Sequence, residues 1–371
     1  MAFIRFPFMA RPLARALVAL AAAGSAFWGG SLPAHAASPG SAEGTARPVA
    51  LRYLNAPPDG EPLLRSPLLG ISINGGRRRA VMDTGSTGIV ISASAIPGWQ
   101  SLPDLGPGKL TYTSSGRVMV GRYVEAAVTI TGADGASLTT RPMPVLAVTG
   151  IECLMAARDC EPSTAPEHVS MLGVGFARES DRQSGGTPEK NPFLNLPGMG
   201  APGGPAGPLG RGYIVTRAGV QVGLSPADGA GFTRVALAPG EIPGEWRAAP
   251  ACYSLAGRTP PACGTMLVDT GVVRSFLTVP EAQFAGLLAP DGAPRLADGT
   301  RVDVVPGPGA AAPHYGYAVG DWMNPVAPTE VVVVPHAGKP AFLNTSVRFL
   351  NAYDYLYDAD GGAVGLRALR Y

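Results

Sequence analysis

Short apolar runs with a period of two dominate the chain. Alternation begins at Val49-Ala50-Leu51-Arg52-Tyr53-Leu54 and returns near residues 118–130, 143–148, 212–222 and 232–237, with Gly, Pro, Asn or Asp between runs. That period belongs to half-buried strands, and the punctuation belongs to turns. One helix is expected at 280–288, with Pro280 at its first position. The stretch from Pro197 to Pro208 has no apolar period and too many breakers for helix or strand. It reads as a Pro/Gly-rich linker over 197–210, separating a part at 49–196 from a part at 211–371. The pattern predicts an all-β protein with many turns.

Composition narrows the class further. A chain of 371 residues has room for two domains. A net charge of +2 argues against nucleic acid or a membrane surface as partner. Apolar residues make up 46% and charged residues only 15%, which excludes disorder throughout. Lysine occurs at Lys109, Lys190 and Lys339 against many Arg and Ala, a bias typical of GC-rich bacterial genomes.

The first 36 residues read as a signal peptide. Arg5, Arg11 and Arg15 form a positive region, residues 16–27 an apolar core, and Ala34-His35-Ala36 a cleavage site before Ala37. That apolar core is too short to anchor in a bilayer. Residues 37–48 are then a small, polar, flexible lead, and export to the periplasm or the cell exterior follows, with no stable membrane insertion. Four cysteines in an exported chain imply two disulfides and allow three pairings. The local pairing, Cys153–Cys160 with Cys252–Cys263, is favoured because each bridge closes a small loop. Cys-x-x-Cys spacing is missing and no His lies near either pair, so no metal is expected.

Candidate chemistry lies in a pattern that occurs twice. Val81-Met82-Asp83-Thr84-Gly85-Ser86 precedes Ile89-Val90-Ile91, and Leu267-Val268-Asp269-Thr270-Gly271 precedes Ser275-Phe276-Leu277. Each copy sets one carboxylate at the end of an apolar strand, on a tight Gly turn. One copy alone is weak evidence, since Asp and Gly are common turn residues. Two copies in the same apolar frame are hard to ascribe to unrelated turns. Facing each other, Asp83 and Asp269 could not both ionise cheaply, and the pair would offer one base and one acid.

The doubled motif resembles that of pepsin-like aspartic peptidases. Gly70-Ile71-Ser72-Ile73-Asn74-Gly75-Gly76, leading into Asp83, is also similar to the N-terminal hairpin of retroviral-type members. Leu110-Thr111-Tyr112-Thr113-Ser114-Ser115-Gly116 lies where the family has its substrate-covering flap. Met171-Leu172-Gly173-Val174-Gly175-Phe176 resembles the segment that threads behind the first aspartate, and residues 342–369 resemble the family ending. The resemblance runs from about residue 51 to residue 371. It implies a bilobal fold of two pseudo-symmetric, six-stranded-barrel-like lobes with a cleft between them. It also implies that Thr84 and Thr270 lock the two loops, that Gly85, Gly271 and Ser86 support the carboxyls, and that Tyr112 is the flap tyrosine. A small disulfide loop before the Asp269 strand is common in the family, as Cys252–Cys263 would be.

Three departures from the family are visible. Val272 stands where Ser or Thr would donate to Asp269, so that carboxyl is expected to lack a donor and to hold its proton more tightly. Val90 replaces a tryptophan partner of the flap tyrosine, which leaves Tyr112 without its hydrogen bond. Asn344-Thr345 replaces Gly-Asp, with Asn344 expected to keep a left-handed turn. The other features carry less. His35, His168, His314 and His336 have no triad or metal spacing, and Asp358-Ala359-Asp360-Gly361-Gly362 lacks the Glu of a calcium loop, so a hairpin turn is expected there.

The expected function is therefore a monomeric aspartic endopeptidase acting on polypeptide, with no cofactor. The alternative is a catalytically inactive protein of the same fold that binds a peptide or cell-wall partner.

Overall fold

The computed structural model describes residues 47–178, 183, 185–307, 313–335 and 338–369. The signal peptide read at 1–36, nearly all of the 37–48 lead, and His336 lie outside the described residues. What is described is predominantly strand and turn, in sheets of six, nine and seven strands, so the protein is all-β. Where one face of a strand is buried, the sequence alternates accordingly. Leu69, Ile71 and Ile73 point inward from Leu68–Ile73, and Ala249, Ala251, Tyr253 and Leu255 from Ala249–Leu255. No described helix is long and apolar enough to cross a membrane.

One arrangement occurs twice. In the nine-stranded sheet, Ser170–Val174 lies between Gly76–Asp83, its parallel neighbour, and Thr87–Ser92, its antiparallel neighbour. In the seven-stranded sheet, Ala341–Asn344 lies between Ala262–Leu267, again parallel, and Ser275–Thr278, again antiparallel. Inserting a third strand prevents the two consecutive strands from pairing with each other. The connection between them is therefore an open loop, not a hairpin turn. Each open loop carries one Asp-Thr-Gly.

The six-stranded sheet takes its strands from distant parts of the chain. Its order is Val49–Arg52, Gly219–Leu224, Gly210–Val215, Tyr353–Asp358, Ala363–Ala368 and Thr233–Ala236. Tyr213 in this sheet packs against Phe193 and Tyr357 and donates its hydroxyl to Val174 O at 2.6 Å. Phe176 stacks on Tyr357 with centroids 4.2 Å apart. These aromatics join the sheet to the strand inserted behind Asp83.

Several expectations change in detail. The run at 212–222 is two strands, Gly210–Val215 and Gly219–Leu224, folded back on each other. The helix is a single turn, Glu281–Phe284, with Pro280 as its N-cap and Gly286 at φ +74 leading the chain away. Residues 197–209 contain neither helix nor strand, yet they are held in place. Leu196, Met199 and Leu209 are buried, and Arg211 Nη1 donates to Ala201 O at 2.9 Å. The turn at 358–362 is a hairpin turn, and Asp360 accepts from the backbone N–H and the guanidinium of Arg211 at 2.7 and 2.6 Å. Both disulfides are local, Cys153–Cys160 and Cys252–Cys263. The second links directly opposed residues of two strands, one of which leads to Asp269.

Candidate active site

The two Asp-Thr-Gly loops meet through reciprocal hydrogen bonds. Thr84 Oγ1 donates to Val268 O at 2.6 Å and accepts from Thr270 N at 3.1 Å. Thr270 Oγ1 donates to Met82 O at 2.6 Å and accepts from Thr84 N at 3.0 Å. Both threonines are fully buried, so the four backbone groups they satisfy have no water to turn to. The chain approach also requires glycine. A Cβ on Gly85 would lie 2.3 Å from Asp269 Cγ, and one on Gly271 would lie 2.4 Å from Asp83 Oδ1. Each motif's glycine thus makes room for the other motif's carboxyl.

Asp83 and Asp269 are 4% and 6% exposed and in hydrogen-bond contact with each other. Each has its own backbone donor, Gly85 N to Asp83 Oδ1 at 2.7 Å and Gly271 N to Asp269 Oδ1 at 2.8 Å. Each also has a side-chain donor on Oδ2. For Asp83 it is Ser86 Oγ at 2.5 Å. For Asp269 it is Asn344 Nδ2, also at 2.5 Å. The expectation that Val272 leaves Asp269 without a donor is therefore corrected, because the inserted strand Ala341–Asn344 ends with an amide against that carboxyl. Asn344 is not the left-handed residue either. The positive φ of this segment falls on Ser346 instead, at φ +64 with an extended ψ of 178.

Burial holds the Asp269 proton most strongly, and the charge of Asp83 adds to it, so this carboxyl is pushed up to about 8. The amide of Asn344 and the positive charge of Arg178 oppose that rise. A carboxyl that binds its proton more tightly folded than unfolded stabilises the fold fully below the ordinary Asp value of about 3.9. The contribution is lost as pH rises through the folded value. Replacing Asp269 by Asn removes this dependence. Between pH 4 and pH 8 the stability difference should swing toward the variant by on the order of a few kcal/mol. Urea midpoints across that range measure the swing, and parallel curves for the two proteins would contradict it.

Strands Asp104–Tyr112 and Arg117–Ala126 form a hairpin at the place expected for the flap. Tyr112 packs beside a small cluster that includes Val90, Leu110 and Met119. Its hydroxyl is buried and has no hydrogen-bond partner of ordinary geometry among the described residues, although the nearby Ser86 hydroxyl favours its ionised form. Burial first, and the charge of Asp83 second, raise it well above the ordinary tyrosine value. The flap and both carboxyls line a cleft of about 1050 Å³, with Glu161, Glu167 and His168 along one wall.

The flap tip is tied down. Ser115 O accepts from Arg158 N at 2.9 Å and Asp159 N at 3.0 Å, and Gly116 O accepts from Leu154 N at 2.9 Å. All three donors belong to the loop closed by Cys153–Cys160. From the same loop, the Arg158 guanidinium lies over the Phe276 ring at 5.7 Å, in the strand that follows the second motif.

Asn344 and this flap tether were missed as functional parts. Neither left a signal in the sequence: the tether is made of backbone groups, and the role of Asn344 depends on strand register. No protein-family model and no curated protein matches the chain, so the chemistry assigned to this site stands on its geometry.

Proposed function

We propose that the protein is an exported aspartic endopeptidase of bilobal, pepsin-like architecture. The nine- and seven-stranded sheets are the cores of its two lobes, and the six-stranded sheet joins them. One observation carries the reading: two buried carboxyls in mutual hydrogen-bond contact, each held by its own loop, with the loops locked by the reciprocal threonine bonds. Asp269, which holds the shared proton, acts as the acid. Asp83 takes a proton from water as the water oxygen attacks the scissile carbonyl carbon, and Asp269 protonates the carbonyl oxygen. The tetrahedral adduct then breaks at its C–N bond: the proton taken up by Asp83 passes to the leaving nitrogen, and a hydroxyl of the adduct returns its proton to Asp269 as the new carboxyl forms. The polypeptide lies extended in the cleft under the flap and Tyr112, bonded through its backbone. Two disulfides support an oxidising, extracytoplasmic location, in the periplasm or outside the cell.

The alternative of an inactive binding protein draws on the departures at Val272 and Asn344; an Asn344 amide that donates to Asp269 supports the peptidase instead. A digest of a general peptide library between pH 3 and 7, with and without a statine-type transition-state analogue, tests the proposal. Cleavage that the analogue blocks is expected. Tight retention of intact peptides with no cleavage at any pH would favour the binding protein.

A further inference from the structure

We propose that Asn344 is the positioning residue for Asp269, supplying from a neighbouring strand the side-chain donor that Val272 cannot. The inference takes the carboxyl pair of the proposed function as its setting and concerns how one member of that pair is held.

The orientation of the Asn344 amide follows from its second partner. Asn344 Oδ1 accepts from Ser346 N at 3.0 Å. A backbone N–H can only donate, so the oxygen must face Ser346 and the NH2 must face Asp269. Ser346 is fully buried at φ +64, a conformation a non-glycine residue adopts only when its surroundings impose it. Those surroundings are visible. Thr345 N donates to Leu267 O and Val347 N to Val272 O, both at 2.9 Å, so residues 345–347 clamp the second motif on either side of Asp269. Ser275 Oγ donates to Thr345 O at 3.1 Å. The amide is thus aimed before any substrate arrives, and its donor end cannot turn away without orphaning a buried N–H.

The result is a pair with matched support from unmatched sources. Asp83 receives its side-chain donor from three residues along its own loop, and Asp269 receives one from 75 residues away. Among the described residues, the charged and titratable groups facing Asp269 are Asp83 from the opposite loop and Arg178 from the segment after Ser170–Val174. Tyr112 faces Asp83 from the flap, and Glu167 and His168 line the cleft wall. Against that background, Asn344 favours the ionised form of Asp269 and limits how tightly its proton is held.

The test is a ¹³C titration of the aspartate carboxyl carbons in the full-length protein, which needs no turnover. In Asn344→Asp the side chain keeps its shape and its oxygen for Ser346 N–H, but it no longer offers a permanent donor. Asp269 should then bind its proton about tenfold more tightly. Val272→Thr, a conservative change, should move the Asp269 titration less than about twofold, because the donor position is already filled. In Asn344→Leu, where no donor remains, proton affinity should also rise, and adding Val272→Thr should bring it back toward the natural value. A tenfold loosening of the proton in Val272→Thr alone, or an unmoved titration in Asn344→Asp, would overturn the assignment. If the titrations move as expected while no peptide is cleaved, the positioning role stands and the peptidase reading falls.

Discussion

Replacing Asp83 or Asp269 by Asn lowers peptide hydrolysis by at least about 10³-fold, the scale on which a positioned acid or base contributes. Asn matches the shape of Asp but can neither hold the shared proton as an acid nor take one from water. The two variants should differ in how well they fold. At position 83 the new NH2 can face Ser86 Oγ, which accepts once its hydroxyl rotates. At position 269 each oxygen already accepts from a donor, Oδ1 from Gly271 N and Oδ2 from Asn344 Nδ2, and neither donor can accept. One donor then faces another in a buried site, at a cost of about 1–3 kcal/mol. Asp83→Asn should keep nearly its full stability near pH 4, where burial of the ionised Asp269 is not an issue, while Asp269→Asn is the weaker fold there. Measured turnover of a cleaved peptide, with unfolding curves for each variant, checks both halves. A folded variant that still cleaves at the natural rate would remove that carboxyl from the mechanism.

The second large effect is on stability. Thr84→Val leaves Val268 O and Thr270 N buried without partners, and Thr270→Val does the same to Met82 O and Thr84 N. At about 1–3 kcal/mol for each orphaned group, either change should cost about 2–6 kcal/mol. That is a large part of the 5–15 kcal/mol typical of a folded domain. Thr→Ser at either position keeps the hydroxyl and should recover most of the loss. Because both threonines hold one junction, the double variant should cost less than the sum of the singles, once the loops have parted. Urea denaturation reads all of this. A Thr84→Val protein within about 0.5 kcal/mol of the natural one would mean the loops are held together by something else.

What could be read along the chain was chemistry that is local or repeated. The two Asp-Thr-Gly loops were legible because the glycine, the carboxyl and the crossing threonine lie within three residues of each other, twice. Strands such as Leu68–Ile73 were legible because one face is buried and the period follows. Local cysteine pairs follow the same rule. The helix at 280–288 shrank to one turn because the backbone leaves helical geometry at Ala285 and turns to positive φ at Gly286. Asn344 was misjudged because its partner is fixed by pairing of Ala341–Asn344 with Ala262–Leu267, and register between distant strands leaves no mark in either segment alone. The tie between the flap tip and the Cys153–Cys160 loop was missed for a different reason. It is made of backbone N–H and C=O groups, which every sequence has.

The long-range pairings also set the order in which the chain can become itself. Val49 pairs with Val222, so the first of the described strands waits for a partner until more than half of the protein exists. Gly76–Asp83 pairs at once with Leu68–Ile73, but its other edge waits for Ser170–Val174, and the Thr84 hydroxyl waits for Val268. Contacts so remote in sequence form late and slowly. A nascent chain that has passed Asp83 but not Asp269 carries a single carboxylate open to water, with nothing to share its proton. Under the proposed activity, the emerging polypeptide is harmless to its neighbours in the cell by topology alone, until the last third of the chain supplies the other half.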